Sequence, residues 1–111
     1  MAAEAPWEFL EMADGAVLEL VVLRVETGVA FFTRRRDDAA REVPVLRLHV
    51  DPRTKATLPA YWDVGAQLLN ATLGPMLTAE GALPRRVRLT KYGTGPAGRY
   101  GLVDLGRVAV A

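Results

Sequence analysis

The side chains in this sequence best placed to do chemistry are cationic and aromatic. Arg86, Arg88 and Tyr92 recur at period two with Thr90 between them, so an extended backbone sets all four on one face. Arg99 and Tyr100 follow across a glycine-rich stretch, and residues 85–99 hold Arg85, Arg86, Arg88, Lys91 and Arg99 without a single acid. Cations along a sheet track phosphates, and a ring among them stacks a base, each stack contributing roughly 1–3 kcal/mol. Arg34-Arg35-Arg36 is a second basic run. On a neighbouring strand, Arg34 and Arg36 share its outward face and extend the same surface.

Other chemistries find little support. The chain has no cysteine, which excludes disulfides, thiol nucleophiles and cysteine-held zinc or iron–sulfur centres. His49 is the only histidine, and no carboxylate is paired with it in sequence, so it takes no catalytic or metal-binding role. Asp37 and Asp38 are adjacent, point apart when extended, and read as a solvated loop. Asp63 reads as a helix N-cap. Gly93-Thr94-Gly95-Pro96-Ala97-Gly98 matches the letters of a dinucleotide fingerprint, but that motif must open a helix, and here a strand follows. The three glycines suit a hairpin loop that lets backbone approach a ligand. No catalytic residue, metal or organic cofactor is expected, and a small enzyme ranks behind any binding role.

The elements that position the basic face follow from patterning. Residues 5–13 fit a short helix through Trp7 and Leu10 or a strand through Trp7 and Phe9. Asp14-Gly15 is a turn signal. Ala16–Val25 reads as a first strand, Glu26-Thr27-Gly28 as its hairpin turn, and 29–36 as a second strand. Glu42–Val50 alternates as a third, with Leu46, Leu48 and Val50 on one face and Val45, Arg47 and His49 on the other. Residues 55–61 read as a loop. A helix is expected from an Asp63 cap to about Leu73, with Val64, Leu68 and Thr72 on its apolar stripe, Leu69 and Leu73 widening it, and Gly74-Pro75 stopping it. Trp62 before it reads as a core plug. Arg85–Tyr92 and Arg99–Leu105 close the chain as a hairpin, with Val87 and Leu89 inward.

The expected class is therefore all-β with one helix: a five-stranded barrel of the oligonucleotide-binding (OB) type, the helix lying between strands 3 and 4. At 111 residues and 12.1 kDa one domain is expected over 1–111, with 1–14 as a lead-in and 106–111 as a tail. Residues 1–26 set six carboxylates against Arg24 alone, so the overall charge of +1 hides an acidic start and a basic remainder. No apolar run approaches the roughly 18 residues of a membrane span. The start lacks the basic and apolar regions of a secretory signal, and a cytoplasmic protein is expected.

Tyr61-Trp62-Asp63-Val64, the helix after it, Leu83–Pro96 and Arg99-Tyr100 together resemble the C-terminal half of phage-type single-stranded DNA-binding proteins. Those often show a W-D-[IV] helix start, a strand of the form [VI]-x-[IVL]-[TK]-[RK]-x-G-x-G, and then R-Y. The resemblance spans residues 61–105. It implies an OB barrel coating single-stranded DNA in replication, recombination or repair, with Arg86, Arg88, Lys91 and Arg99 on the backbone and Tyr92 or Tyr100 against bases. DNA is expected before RNA as partner, no membrane is expected, and a homo-oligomer is expected because a single small barrel covers few nucleotides and cooperative coating needs neighbours. The acidic tail of many family members has no counterpart in the ending Gly-Arg-Val-Ala-Val-Ala, and the zinc-binding cysteines of larger members are absent. The rival expectation is a small protein-interaction module, such as a phage or plasmid factor that binds a host enzyme.

Overall fold

Val17–Thr33 forms one uninterrupted strand, β1, in a computed structural model that describes residues 6–33, 40–93 and 99–109, with backbone alone at 32, 33, 40 and 41. The two strands expected from this stretch are a single one. Glu26, Thr27 and Gly28 do not turn; they pair with Arg47, Leu46 and Val45 of β2, Ala40–Val50. The chain reverses between the paired residues Thr33 and Ala40 instead. A glycine within a strand and a glycine at a turn look alike in sequence, and the partner strand decides between them. Arg34 and Arg36 lie outside the described residues.

Strand β1 is shared by both halves of the sheet. Its residues Val17–Val22 pair with β4, Arg85–Tyr92, and from Val22 onward it pairs with β2. A bulge between Val22 and Arg24 separates the two regions. The extra residue reverses the inside–outside alternation: Leu18, Leu20 and Val22 face the core before it, and Val25 does so after it. A short 3₁₀ turn, Pro52–Thr54, leads from β2 toward β3, Tyr61–Val64. Asp51 caps that turn by accepting from the Arg53 backbone N–H, and the Arg53 guanidinium holds the Asp51 carboxyl down at about 2.

With β5, Arg99–Arg107, the strands make one antiparallel sheet in the order β3-β2-β1-β4-β5. The count of five survives although the strands differ: two expected strands merge, and Tyr61–Val64, expected as loop and helix start, supplies the fifth. The edges β3 and β5 do not pair with each other, so the sheet stays open and is not closed into a barrel. One helix, α1, Gln67–Thr78, lies between β3 and β4 as expected.

The helix starts later and ends later than the patterning predicts. Ala66 stands at its N-cap with no side-chain hydrogen bond, while Asp63 sits in β3. The helix also runs through Gly74-Pro75. Proline has no N–H for the Ala71 carbonyl, but Ala71 is exposed to water, so the loss is tolerated. The gain is one more buried turn: Leu69, Leu73 and Leu77, spaced by four, plug the core against Leu20, Leu48, Val64, Val87 and Leu89. The expected stripe was one residue out of phase, and Leu68 is 85% exposed. Trp62 packs against this core. The buried Lys55 beside it donates to the Thr57 carbonyl and lies 4.3 Å over the indole.

Asp63 is fully buried and charged, and it organises the β3 edge. Its Oδ1 accepts from Arg47 Nε at 2.6 Å; its Oδ2 accepts from Arg47 Nη2 at 3.0 Å and from the Glu8 N–H at 2.7 Å. Backbone bonds from Asp63 N–H to the Glu8 carbonyl and from Leu10 N–H to the Asp63 carbonyl lay residues 8–10 along β3. The lead-in is thus extended, with a parallel bridge at Phe9 and Trp7 stacked on Phe9 at 5.4 Å. The Arg47 guanidinium lies over the Tyr61 ring at 4.2 Å and the Trp7 ring at 5.3 Å. Removing one member of a buried pair strands the other charge at a cost of about 3–5 kcal/mol, whereas an apolar replacement of both escapes that penalty. Chemical denaturation should therefore show Arg47→Ala strongly destabilised and an Arg47→Met/Asp63→Leu double variant markedly more stable than it. Equal losses in the two would mean that the ion pair is not what holds the edge.

Candidate nucleic-acid interface

Strand β4 exposes the face that its alternation predicts. Val87, Leu89 and Lys91 point inward and are buried, while Arg86, Arg88, Thr90 and Tyr92 point outward. Antiparallel register then assembles the outer surface, because directly opposed residues share a face. Thr90 stands between Val17 and Gly101, Arg88 between Glu19 and Val103, and Tyr92 opposite Arg99. Arg86, Arg88, Tyr92 and Arg99 are thus brought onto one three-stranded patch.

The best-defined part of that patch is Tyr92. Its ring lies against Gly101 on β5: a Cβ placed on Gly101 would meet Tyr92 Cε2 at 2.8 Å. The hydroxyl lies nearer that point than Cζ does, at 3.5 against 3.6 Å, so the glycine leaves room for the Cε2 edge of the phenol, and Tyr92 remains 58% exposed. A ring fixed at one edge and open to solvent has a face to offer for stacking. At the same end of the strand, Asp14 accepts a hydrogen bond at 2.7 Å from the N–H of Gly93, whose φ of +87° starts the turn out of β4. Backbone bonds between Gly15 and Lys91 and between Lys91 and Ala16 tie this end of β4 to the Asp14-Gly15 turn.

The cations differ in their freedom. Arg99 is exposed and makes no ion pair among the described residues. Arg86 and Arg88 share one acid, Glu19, at 3.3 and 3.6 Å, with all three side chains about two-fifths exposed. Pairs this open contribute about 0–1 kcal/mol and are screened by salt, so an incoming phosphate competes with Glu19 readily. Lys91 departs from expectation: it is buried on the inner face with its ammonium 4.3 Å over the Tyr100 ring. Tyr100 also turns inward and packs against the core. Neither is available on the outer face. Period two dictates this, since Lys91 falls between the outward Thr90 and Tyr92 and its partner in register is Tyr100. Arg85 also belongs to the inner side, where its guanidinium bonds both Asp104 oxygens at 2.8 Å and pulls the Asp104 carboxyl below its usual range.

Sequence reasoning overlooked Glu19, Gly101 and Asp14. The signal for Gly101 was present, because a lone glycine inside a strand marks a close approach by something else. Glu19 could be recognised only once β1 was known to lie beside β4. Residues 94–98 of the glycine loop are outside the described residues. Among those described, no group of histidines and carboxylates could hold a metal, and no helix is long and apolar enough to cross a membrane. No protein-family model, curated protein or solved structure matches the chain.

The seated ring has a direct spectroscopic consequence. The Gly101 Hα that points at the Cε2 edge lies close to the plane of the Tyr92 ring, so its NMR resonance should be shifted downfield by the ring current. Tyr92→Leu should return it toward ordinary strand values with little change in melting temperature. An unshifted Gly101 Hα in the wild-type protein would refute the seat.

Proposed function

We propose that this chain binds single-stranded nucleic acid without catalysis, using the outer face of β1, β4 and β5. The observation that carries the reading is the Tyr92 ring, held by its edge against Gly101 and open to solvent between Arg88 and Arg99. Arg86, Arg88 and Arg99 supply contacts to phosphates, and the ring supplies a stack for one base. The site residues are thus Arg86, Arg88, Tyr92 and Arg99. Lys91 and Tyr100 act behind them by supporting the sheet. DNA is favoured over RNA through the resemblance to phage-type single-stranded DNA-binding proteins, which also suggests work in replication, recombination or repair. One such patch spans few nucleotides, and continuous coating needs neighbouring copies, hence assembly into homo-oligomers.

A protein-interaction role is the second reading, and one feature favours it. Beyond Val22 on β1 and Leu46 on β2 the two strands form a ribbon with no third strand among the described residues, and Val29 and Phe31 stand 48% and 68% exposed on it. Apolar groups left open together mark contact surfaces.

Titration of fluorescent oligo-dT at several salt concentrations separates the two. Each neutralised phosphate contributes about 0.7 to the slope of log affinity against log salt for single strands, so three arginines predict a slope of about −2. Tyr92→Ala should weaken binding by roughly 1–3 kcal/mol without changing that slope. No binding at low salt would end the reading, and a preference for duplex would remove its stacking component.

Glu19 supplies a test with the opposite sign. Glu19→Gln frees Arg86 and Arg88 and removes a negative charge from the patch, so affinity for the same oligonucleotide should rise, most at low salt. Unchanged or weaker binding in Glu19→Gln would place the nucleic acid away from this face.

A further inference from the structure

Round the β5 edge from the platform, on the inner side of the sheet, the first turns of α1 and the start of β5 line a groove of about 410 Å³, with the inward-turned Tyr100 among its walls. Such a volume falls within the roughly 300–1,000 Å³ typical of small-ligand sites. Leu69 and Leu102 give it apolar walls, and Leu68 stands at it 85% exposed although the core has no use for it. Gln67 and Thr72 contribute polar groups. Both donors of interest on the Gln67 amide are committed: Nε2 bonds the Pro44 carbonyl at 2.9 Å and the Gly65 carbonyl at 2.7 Å, which fixes the amide and leaves Oε1 as its remaining acceptor. Arg99 also lines this groove, and it is the same arginine that stands opposite Tyr92 in register. Groove and platform therefore share one cation, which makes no ion pair among the described residues.

We propose that the groove receives one unstacked nucleobase from the strand held on the Tyr92 platform, with Arg99 on the phosphate between the two bases. This rests on the single-strand reading above and specifies where the neighbouring base goes. A base is flat and apolar on its faces but polar at its edge. It matches leucine walls with a fixed amide oxygen and the Thr72 hydroxyl, whereas a purely aliphatic ligand would leave those polar groups unpaired. A strand leaving Tyr92 toward β5 meets Arg99 first, and because Arg99 also lines the groove, the next base reaches it by passing round the β5 edge. Single-stranded partners allow this geometry, because their bases can be splayed out and read one at a time.

The test uses the full chain and two oligonucleotides of equal length, one normal and one with abasic sites throughout, against wild type, Tyr92→Ala, Leu68→Ser and the double variant. Leu68 lies outside the core, so Leu68→Ser should keep its circular dichroism and melting temperature. Leu68→Ser is expected to lose about tenfold in affinity for the normal oligonucleotide, the scale of a lost apolar contact in a pocket, and to bind the abasic one as wild type does. Leu68→Ser should lose affinity by the same factor in the Tyr92→Ala background, because the two sites hold different bases. If wild type binds and Tyr92→Ala weakens it while Leu68→Ser binds normally, the groove proposal falls and the platform stands. Equal weakening of normal and abasic binding by Leu68→Ser would also overturn it. If wild type binds neither oligonucleotide, the single-strand reading falls, and the groove proposal with it.

Discussion

A fully buried carboxylate decides which surfaces of this protein are open. Asp63 holds Arg47 on one side and the Glu8 backbone on the other, so the lead-in segment must run along β3 with Trp7 and Phe9 beside it. That contact pairs the outer edge of β3 and withdraws Arg47, otherwise a candidate surface cation, between two aromatic rings. Among the described residues, the edge left unpaired is β5, and the open outer face is that of β1, β4 and β5. A charge with no exposed surface is stable only with its partners in place, so this distribution of covered and open surface is a condition of the fold itself.

The open face gathers its properties from three strands, none of which is distinctive alone. β4 contributes the arginines and the tyrosine, β5 the glycine seat and Arg99, and β1 an acid that restrains two of the arginines. Glu19 lowers the positive potential of this face at little cost to stability, which also limits repulsion between Arg86 and Arg88. The inner face of the same hairpin uses similar residue types for the reverse purpose: Lys91 on Tyr100 and Arg85 on Asp104 are satisfied internally and strengthen the strand pair. Cationic and aromatic residues alternate between exposed and supporting roles along one strand, and only their parity separates them.

Much of this was legible in the residue order. The inward and outward sets of β4 follow from period two, as does the division of β2 into Leu46, Leu48 and Val50 against Val45, Arg47 and His49, although Val45 is buried on its own face as well. The all-β character with one helix, and the helix's place between the third and fourth strands, also follow from local patterning. The errors share a cause. Gly28 looked like a turn, Asp63 like a helix cap, Pro75 like a helix stop and Lys91 like a surface cation because each is the common local role of that residue type. Each was overruled by a partner distant in sequence: β2 for Gly28, Arg47 for Asp63, the core that Leu77 fills for Pro75, and Tyr100 for Lys91.

By itself, then, the order of residues determined which side chains could share a face, where positive charge accumulates, and what chemistry the absence of cysteine rules out. Local geometry suffices for these, since neighbours along an extended chain point to opposite sides whatever surrounds them. Only the tertiary structure decided that β1 is one bulged strand serving two partners, that Glu19 stands against Arg86 and Arg88, and that Tyr92 rests on Gly101. Those are relations between segments brought together by burial of a common core, and the free energy that selects them belongs to the assembled sheet and helix rather than to any single stretch of chain.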